Sequence, residues 1–117
     1  MVTVTKEFLS GSNNGRNVVV TATTTAGTTL HTSTSTTGVK DEVWLWATNT
    51  SASPVNLTLM LGGGSTASDQ VLMQIPAQDG WHLILDGQVF DGGMLVKAFA
   101  GTASAINIRG YVNRVTN

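Results

Sequence analysis

Apolar and polar residues alternate with a period of two along most of the chain, and no apolar series at three-to-four spacing lasts ten residues. That pattern predicts strands with one face buried, because successive side chains of an extended chain point to opposite sides. The first residues, Val2-Thr3-Val4-Thr5, alternate before the turn-rich Ser10-Gly11-Ser12-Asn13-Asn14-Gly15, so residues 1–17 read as an edge strand or a loose arm. Residues 18–25 and 28–37 read as two strands joined at Ala26-Gly27, a predicted hairpin. Further strands are predicted over 42–47, 55–61, 70–75, 81–85, 94–100 and 105–115, with turns at Asn49–Pro54, Gln78-Asp79-Gly80, Asp86-Gly87 and Asp91-Gly92-Gly93. Gly62-Gly63-Gly64-Ser65-Thr66 reads as a loop.

Within Glu42–Ala47, Val43, Leu45 and Ala47 fall on one face and Trp44 and Trp46 on the other. Apolar residues on both faces predict a central strand, with one face open to a subunit contact. About eight strands at near-regular spacing predict a single-domain, all-β antiparallel sandwich over residues 18–117, of jelly-roll or immunoglobulin-like topology. A small closed barrel is the alternative. Ten of the seventeen residues from Thr21 to Thr37 are threonine. Its branched Cβ suits a pleated surface and its hydroxyl keeps an outer face wet. A mucin-like stalk would also be Thr-rich, but this tract holds no proline and is interrupted by Leu30.

The 117 residues set the scale of one domain. Charged residues are only 11% of the chain, less than half the usual share of about 25%. Such a surface repels its own copies weakly, which suits close assembly. The formal net charge is −1, and Arg16, Lys40, Lys97, Arg109 and Arg114 are scattered. Nucleic-acid phosphates and anionic membranes need converging cations, so neither is an expected partner. There is no cysteine, which excludes disulfides and thiolate metal sites. Neither a signal peptide nor a membrane-spanning apolar run is visible.

Chemistry-bearing residues read as structural. His31 and His82 stand outside any ligand-spaced motif and are expected on partly exposed strand faces. Asp79, Asp86 and Asp91 each lie next to or near glycine in turns, where Asp bonds its own backbone. A calcium site on those loops, or a hydrolase using those acids, is the rival reading. No Gly-x-Ser-x-Gly and no phosphate-loop lysine occur. No cofactor is expected, and no enzymatic activity. The rings of Trp44, Trp46, Trp81, Phe90, Phe99 and Tyr111 are expected to pack in the core or at interfaces. Stacking on sugars is the alternative.

Several short runs carry a resemblance. They include Phe8-Leu9-Ser10-Gly11-Ser12, Gly15-Arg16, Leu30-His31-Thr32, Asp41-Glu42-Val43 and Asn49-Thr50-Ser51-Ala52-Ser53. Leu61-Gly62-Gly63, Ile75-Pro76-Ala77-Gln78, Val96-Lys97-Ala98-Phe99-Ala100 and Gly110-Tyr111-Val112-Asn113-Arg114-Val115 continue them. Together they resemble a family of small structural proteins of tailed bacteriophages, over nearly the whole chain. The resemblance implies a virion component, with capsid decoration (cement) as the assignment. It also implies the phage major capsid protein as partner, a trimeric assembly and a place on the capsid surface. The candidate interface residues are Phe8 and Arg16 in a shell-contacting arm, and Trp44, Trp46 and Trp81 in core or trimer contacts. A receptor- or glycan-binding module of a tail or head fibre is the alternative function. The extreme threonine content of residues 21–37 departs from the family pattern.

Overall fold

A computed structural model of the chain describes residues 2–62 and 67–117. The expected loop at Gly63–Thr66 lies outside the described residues. The described residues build two antiparallel sheets from nine strands: β1 (Thr3–Phe8), β2 (Val18–Val19), β3 (Thr28–Thr32), β4 (Val39–Asn49), β5 (Val55–Leu61), β6 (Gln70–Ile75), β7 (His82–Phe90), β8 (Leu95–Ala100) and β9 (Ile106–Thr116). The first sheet runs β1-β9-β4-β7, with β2 also on β9. The second runs β3-β8-β5-β6. The all-β sandwich expected from periodicity is therefore what forms, as two separate sheets and not a closed barrel.

The pairing also settles the topology. β1 and β2 both lie antiparallel to β9, β3 to β8, β4 to β7 and β5 to β6. These are nested pairs of one long hairpin whose tip is the β5–β6 connection, wound so that its rungs alternate between sheets. Counting β1 and β2 as one interrupted strand gives eight strands in that rolled arrangement, a jelly roll.

The core lies between the sheets. Val43, Leu45 and Ala47 of β4 and Ile106, Ile108 and Val112 of β9 face Leu57 and Leu59 of β5 and Val96 and Ala98 of β8, all fully buried. The two-residue phase foreseen for β4 holds over eleven residues, from Val39 to Asn49. Its inward series includes Asp41 and Asn49, both buried. Asn49 caps the following turn: its side-chain amide donates to the carbonyls of Ser53 and Ile75 and its oxygen accepts from the Ser51 N–H.

Two expectations are corrected. Residues 18–37 do not form a hairpin: β2 and β3 lie in different sheets, and only Thr28–Thr32 of the threonine tract is strand. Of the residues between them, Val20 enters the core and Gly27 lies over Met60 on the second sheet. A Cβ at Gly27 would collide with the end of Met60, and Met60, on the outward series of β5, is buried. Asp86-Gly87 is not a turn between strands. β7 runs straight through it, with a register shift opposite Val43 and Trp44 and Gly87 at φ +73°, the signature of a bulge. Residues 1–17 are an edge strand followed by a loop that dips Leu9 into the core, at 2% exposure.

Candidate functional site

Two groups of side chains stand out, one inside the sandwich and one on its outer surface. The inner group centres on Asp41, which is fully buried. Arg114 on the neighbouring β9 reaches it through two parallel bonds, Nε to Oδ1 at 2.8 Å and Nη2 to Oδ2 at 3.1 Å. The backbone N–H of Thr34 donates to Oδ2 at 2.9 Å. His31 of the opposite sheet completes the set, with Nε2 2.9 Å from Oδ2. Because Ser10 N–H donates to His31 Nδ1 at 3.0 Å, that nitrogen carries the lone pair. The ring proton therefore sits on Nε2 and is donated to Asp41. Burial pushes the Asp41 carboxyl up, but the hydrogen bonds from Arg114, His31 and Thr34 and the guanidinium charge outweigh it and hold it below the ordinary carboxylate range. Asp41 in turn raises Arg114, against a smaller opposing effect of burial and with added help from the charge of Glu7.

His31 was expected on a partly exposed face and is instead 1% exposed. The register of β3 shifts between Thr29 and His31. A bulge there turns the successive residues Leu30 and His31 both inward, which a strict two-residue period does not allow. The signal for Asp41 was present in the sequence: it lies in phase with Val43, Leu45 and Ala47. His82 is partly exposed, as expected. Its Nε2 lies 3.4 Å from Asp79 Oδ2 but makes no hydrogen bond among the described residues. Asp91 pairs with Lys40 at the surface, at 2.8 Å. Among the described residues no three acids or histidines gather at metal-binding distance.

The outer group is the solvent face of the first sheet. Register places Phe8, Tyr111 and Trp44 in one row across β1, β9 and β4, and Arg109, Trp46 and Leu83 in the next across β9, β4 and β7. The rings of Trp44, Trp46 and Tyr111 stack on one another, with centroids 6.0–6.4 Å apart. Lys6 lies over Tyr111 at 4.8 Å from its centroid. Trp44 Nε1 donates to Glu42 at 2.7 Å, and Asn113 donates to the same oxygen at 3.1 Å. Those two bonds lower the Glu42 pKa. The Trp44 ring also fits over Gly87, where a Cβ would come within 2.8 Å of it. The bulge of β7 therefore makes room for the ring.

The face is apolar well beyond this stack. Among the described residues ten large apolar side chains are exposed. Six belong to this face: Val4, Phe8, Val19, Trp81, Leu83 and Val89. Two clefts flank the stack. One, of 440 Å³, opens where the edge of the sheet passes from β1 to β2 and leaves Arg109 and Gly110 unpaired on that side. Lys6, Phe8, Asn14 and Tyr111 also line it. The other, of 220 Å³, is bounded by Trp46, Trp81 and Arg109.

Of the five residues expected to make contacts, Phe8, Trp44, Trp46 and Trp81 thus share one face. None of the tryptophans is in the core, contrary to one of the two roles expected for them. The two-residue period sends Trp44 and Trp46 outward, and Trp81 is 46% exposed. Arg16 is exposed in the turn closed by its N–H and the Asn13 carbonyl. Arg109, missed in the sequence, joins the two clefts. No family model matches the chain, and neither the curated proteins nor the solved structures searched contain a match.

Proposed function

We propose that this chain is a non-enzymatic structural protein of a tailed-phage particle, a decoration protein that binds the outside of the coat lattice and resists separation of its subunits. The observation that carries the reading is the concentration of exposed apolar side chains on the outer face of the first sheet. A monomer seldom leaves a large contiguous apolar patch in water, and one rimmed by polar groups marks a contact surface. Here the polar groups are interleaved with the apolar ones: register sets Lys6, Asn113 and Glu42 in the row next to Phe8, Tyr111 and Trp44, and Arg109 in the row of Trp46 and Leu83. The resemblance of the short sequence runs to phage structural proteins agrees with it. So does the architecture, by analogy alone, since jelly rolls are used by viral coat domains and also by lectins.

In this reading β1 and the loop to residue 17 contact the shell, and the aromatic face packs against the coat or against neighbouring copies in a homotrimer. Each contact can be weak, because many copies act together on one lattice. Electron cryo-microscopy of the particle tests it. The expected result is density for this fold on the capsid exterior, in numbers comparable to the coat protein. A copy number confined to the tail would reject it.

The cleft between Trp46 and Trp81 favours a second reading, a glycan-binding module of a fibre. Flat rings beside a guanidinium that has no partner among the described residues can hold the apolar face of a sugar and one of its polar groups. Saturable binding on a glycan array, lost on Trp81→Ala, is the outcome expected for that reading and not for the first.

A further inference from the structure

All six residues of β1 are exposed. The strand holds to the sandwich through its ladder with β9 and through the residues that follow it. Leu9 is buried. Ser10 and Gly11 then hook onto β3: Ser10 N–H donates to His31 Nδ1 at 3.0 Å, Thr32 N–H donates to Ser10 Oγ at 2.7 Å, and Gly11 N–H donates to the Leu30 carbonyl at 2.9 Å. One of these three hooks requires an unprotonated ring nitrogen.

The surroundings of His31 decide what a second proton would do. Asp41 of β4 takes the Nε2 proton. Arg114 of β9 is bound to the same carboxylate, and Glu7 of β1 acts on Arg114 through its charge. Register sets Val96 of β8 beside His31 and Phe90 of β7 beside Asp41, and neither is charged. A second proton can enter only at Nδ1. There it would turn an acceptor into a donor facing the Ser10 N–H, and two donors cannot share a bond. A second proton on the ring therefore requires the release of Ser10.

We propose that His31 is a proton-operated latch for the N-terminal segment. In its neutral form it clasps Ser10 and keeps β1 docked. In its cationic form it holds Asp41 alone, and the segment through Ser12 opens while β4 and β9 stay paired. Since β1 contributes Val4, Lys6 and Phe8 to the outer face, acid would dismantle one margin of that face. This last consequence rests on the contact reading given above; the latch does not.

The test is nuclear magnetic resonance on the full-length, ¹⁵N-labelled protein, titrated downward from neutral pH. The His31 ring nitrogens are followed beside amide exchange corrected for its intrinsic pH dependence. The expected result is a neutral ring protonated on Nε2, and then protection at Ser10 and Gly11 falling about fivefold as the ring takes its second proton, the equivalent of one hydrogen bond between neutral groups. Val43, Leu45 and Val112 should keep their protection. His31→Gln should remove the pH step, and Ser10→Ala should weaken docking at every pH while keeping the step. Three results would overturn the latch: a neutral ring protonated on Nδ1, a cationic ring with Ser10 still protected, or loss of all amides together in one unfolding event. None of them bears on whether the outer face contacts a coat lattice, which particle microscopy decides separately.

Discussion

Replacing Asp41 by asparagine keeps the shape of the side chain and removes its charge. Four hydrogen bonds converge on the carboxylate, two from Arg114 and one each from His31 and Thr34 N–H. An asparagine has one oxygen. Three of the four bonds fall on Oδ2 and one on Oδ1; whichever way the amide lies, its NH2 group points at a donor, so at least one of the four bonds is lost and the guanidinium loses its counter-charge. Removing one member of a buried ion pair costs about 3–5 kcal/mol. Arg114 is 33% exposed and can turn partly to water, which places the cost near the lower end, about 3 kcal/mol. A chain of this length has a total stability of roughly 6–18 kcal/mol, so the loss is readily measured. Urea unfolding at pH 7, followed by tryptophan fluorescence, gives the number directly. The pH dependence supplies an independent check. The Asp41 pKa is lowered in the folded state. Its contribution is therefore complete above the unfolded value of about 3.9 and disappears as pH falls through the lower folded value. Wild type and Asp41→Asn should thus differ most near neutrality and converge in strong acid. A difference under about 1 kcal/mol at pH 7, or one that stays constant into strong acid, would refute the assignment of Asp41 as the charged centre of the lock.

Three further outcomes follow from the geometry. Gly87→Ala should cost about 1–3 kcal/mol and shift the tryptophan emission, because the backbone is at φ +73° and the new methyl meets the Trp44 ring; a melt and an emission spectrum measure both. Leu9→Ala should cost about 2–4 kcal/mol in urea unfolding, since the side chain is 2% exposed, and it should lower the exchange protection of β1 more than that of β4. Leu83→Lys with Val89→Lys should leave stability within about 0.5 kcal/mol, both side chains being more than half exposed; under the proposed decoration role it should also abolish self-association in sedimentation experiments and binding to undecorated shells.

How much of this was legible in the sequence depended on whether a strict period of two held. Along β4 it held for eleven residues, and Val43, Leu45 and Ala47 lie, as the period required, on the face opposite Trp44 and Trp46. It failed wherever a bulge intervened. At Leu30–His31 the bulge brought a histidine inside that alternation had put outside. At Asp86-Gly87 the glycine that signalled a turn was used to let a strand bend beneath an indole. The threonine tract misled for another reason. Threonine is at home in strands, but β2 ends after two residues and the chain must cross to the other sheet, so most of the tract became connection. Arg109 and Gly110 could not be singled out at all. Their significance comes from the gap between β1 and β2 along one edge, which depends on partners ninety or more residues away in sequence.

The central strand also explains why the inner lock and the outer face occur together. On β4, Asp41 points inward and Glu42 outward, and their partners on β9 are Arg114 and Asn113. Each acid is thus tied to the adjacent strand, one through a bidentate ion pair and the other through an amide, and the Glu42 oxygen also fixes the Trp44 indole. A slip of one residue between β4 and β9 would exchange the two faces of the strand. It would bury Glu42 and Trp44 and expose Asp41 and Val43, separating both acids from their donors. The polar pairs therefore add to the hydrophobic phase in selecting a single register. That register sets Trp44 and Trp46 beside Tyr111 on the outer face. Substitutions at the buried Asp41 should accordingly disturb the exposed aromatic stack, although no atom of Asp41 reaches it, and a changed near-ultraviolet circular dichroism spectrum of folded Asp41→Asn would register the coupling.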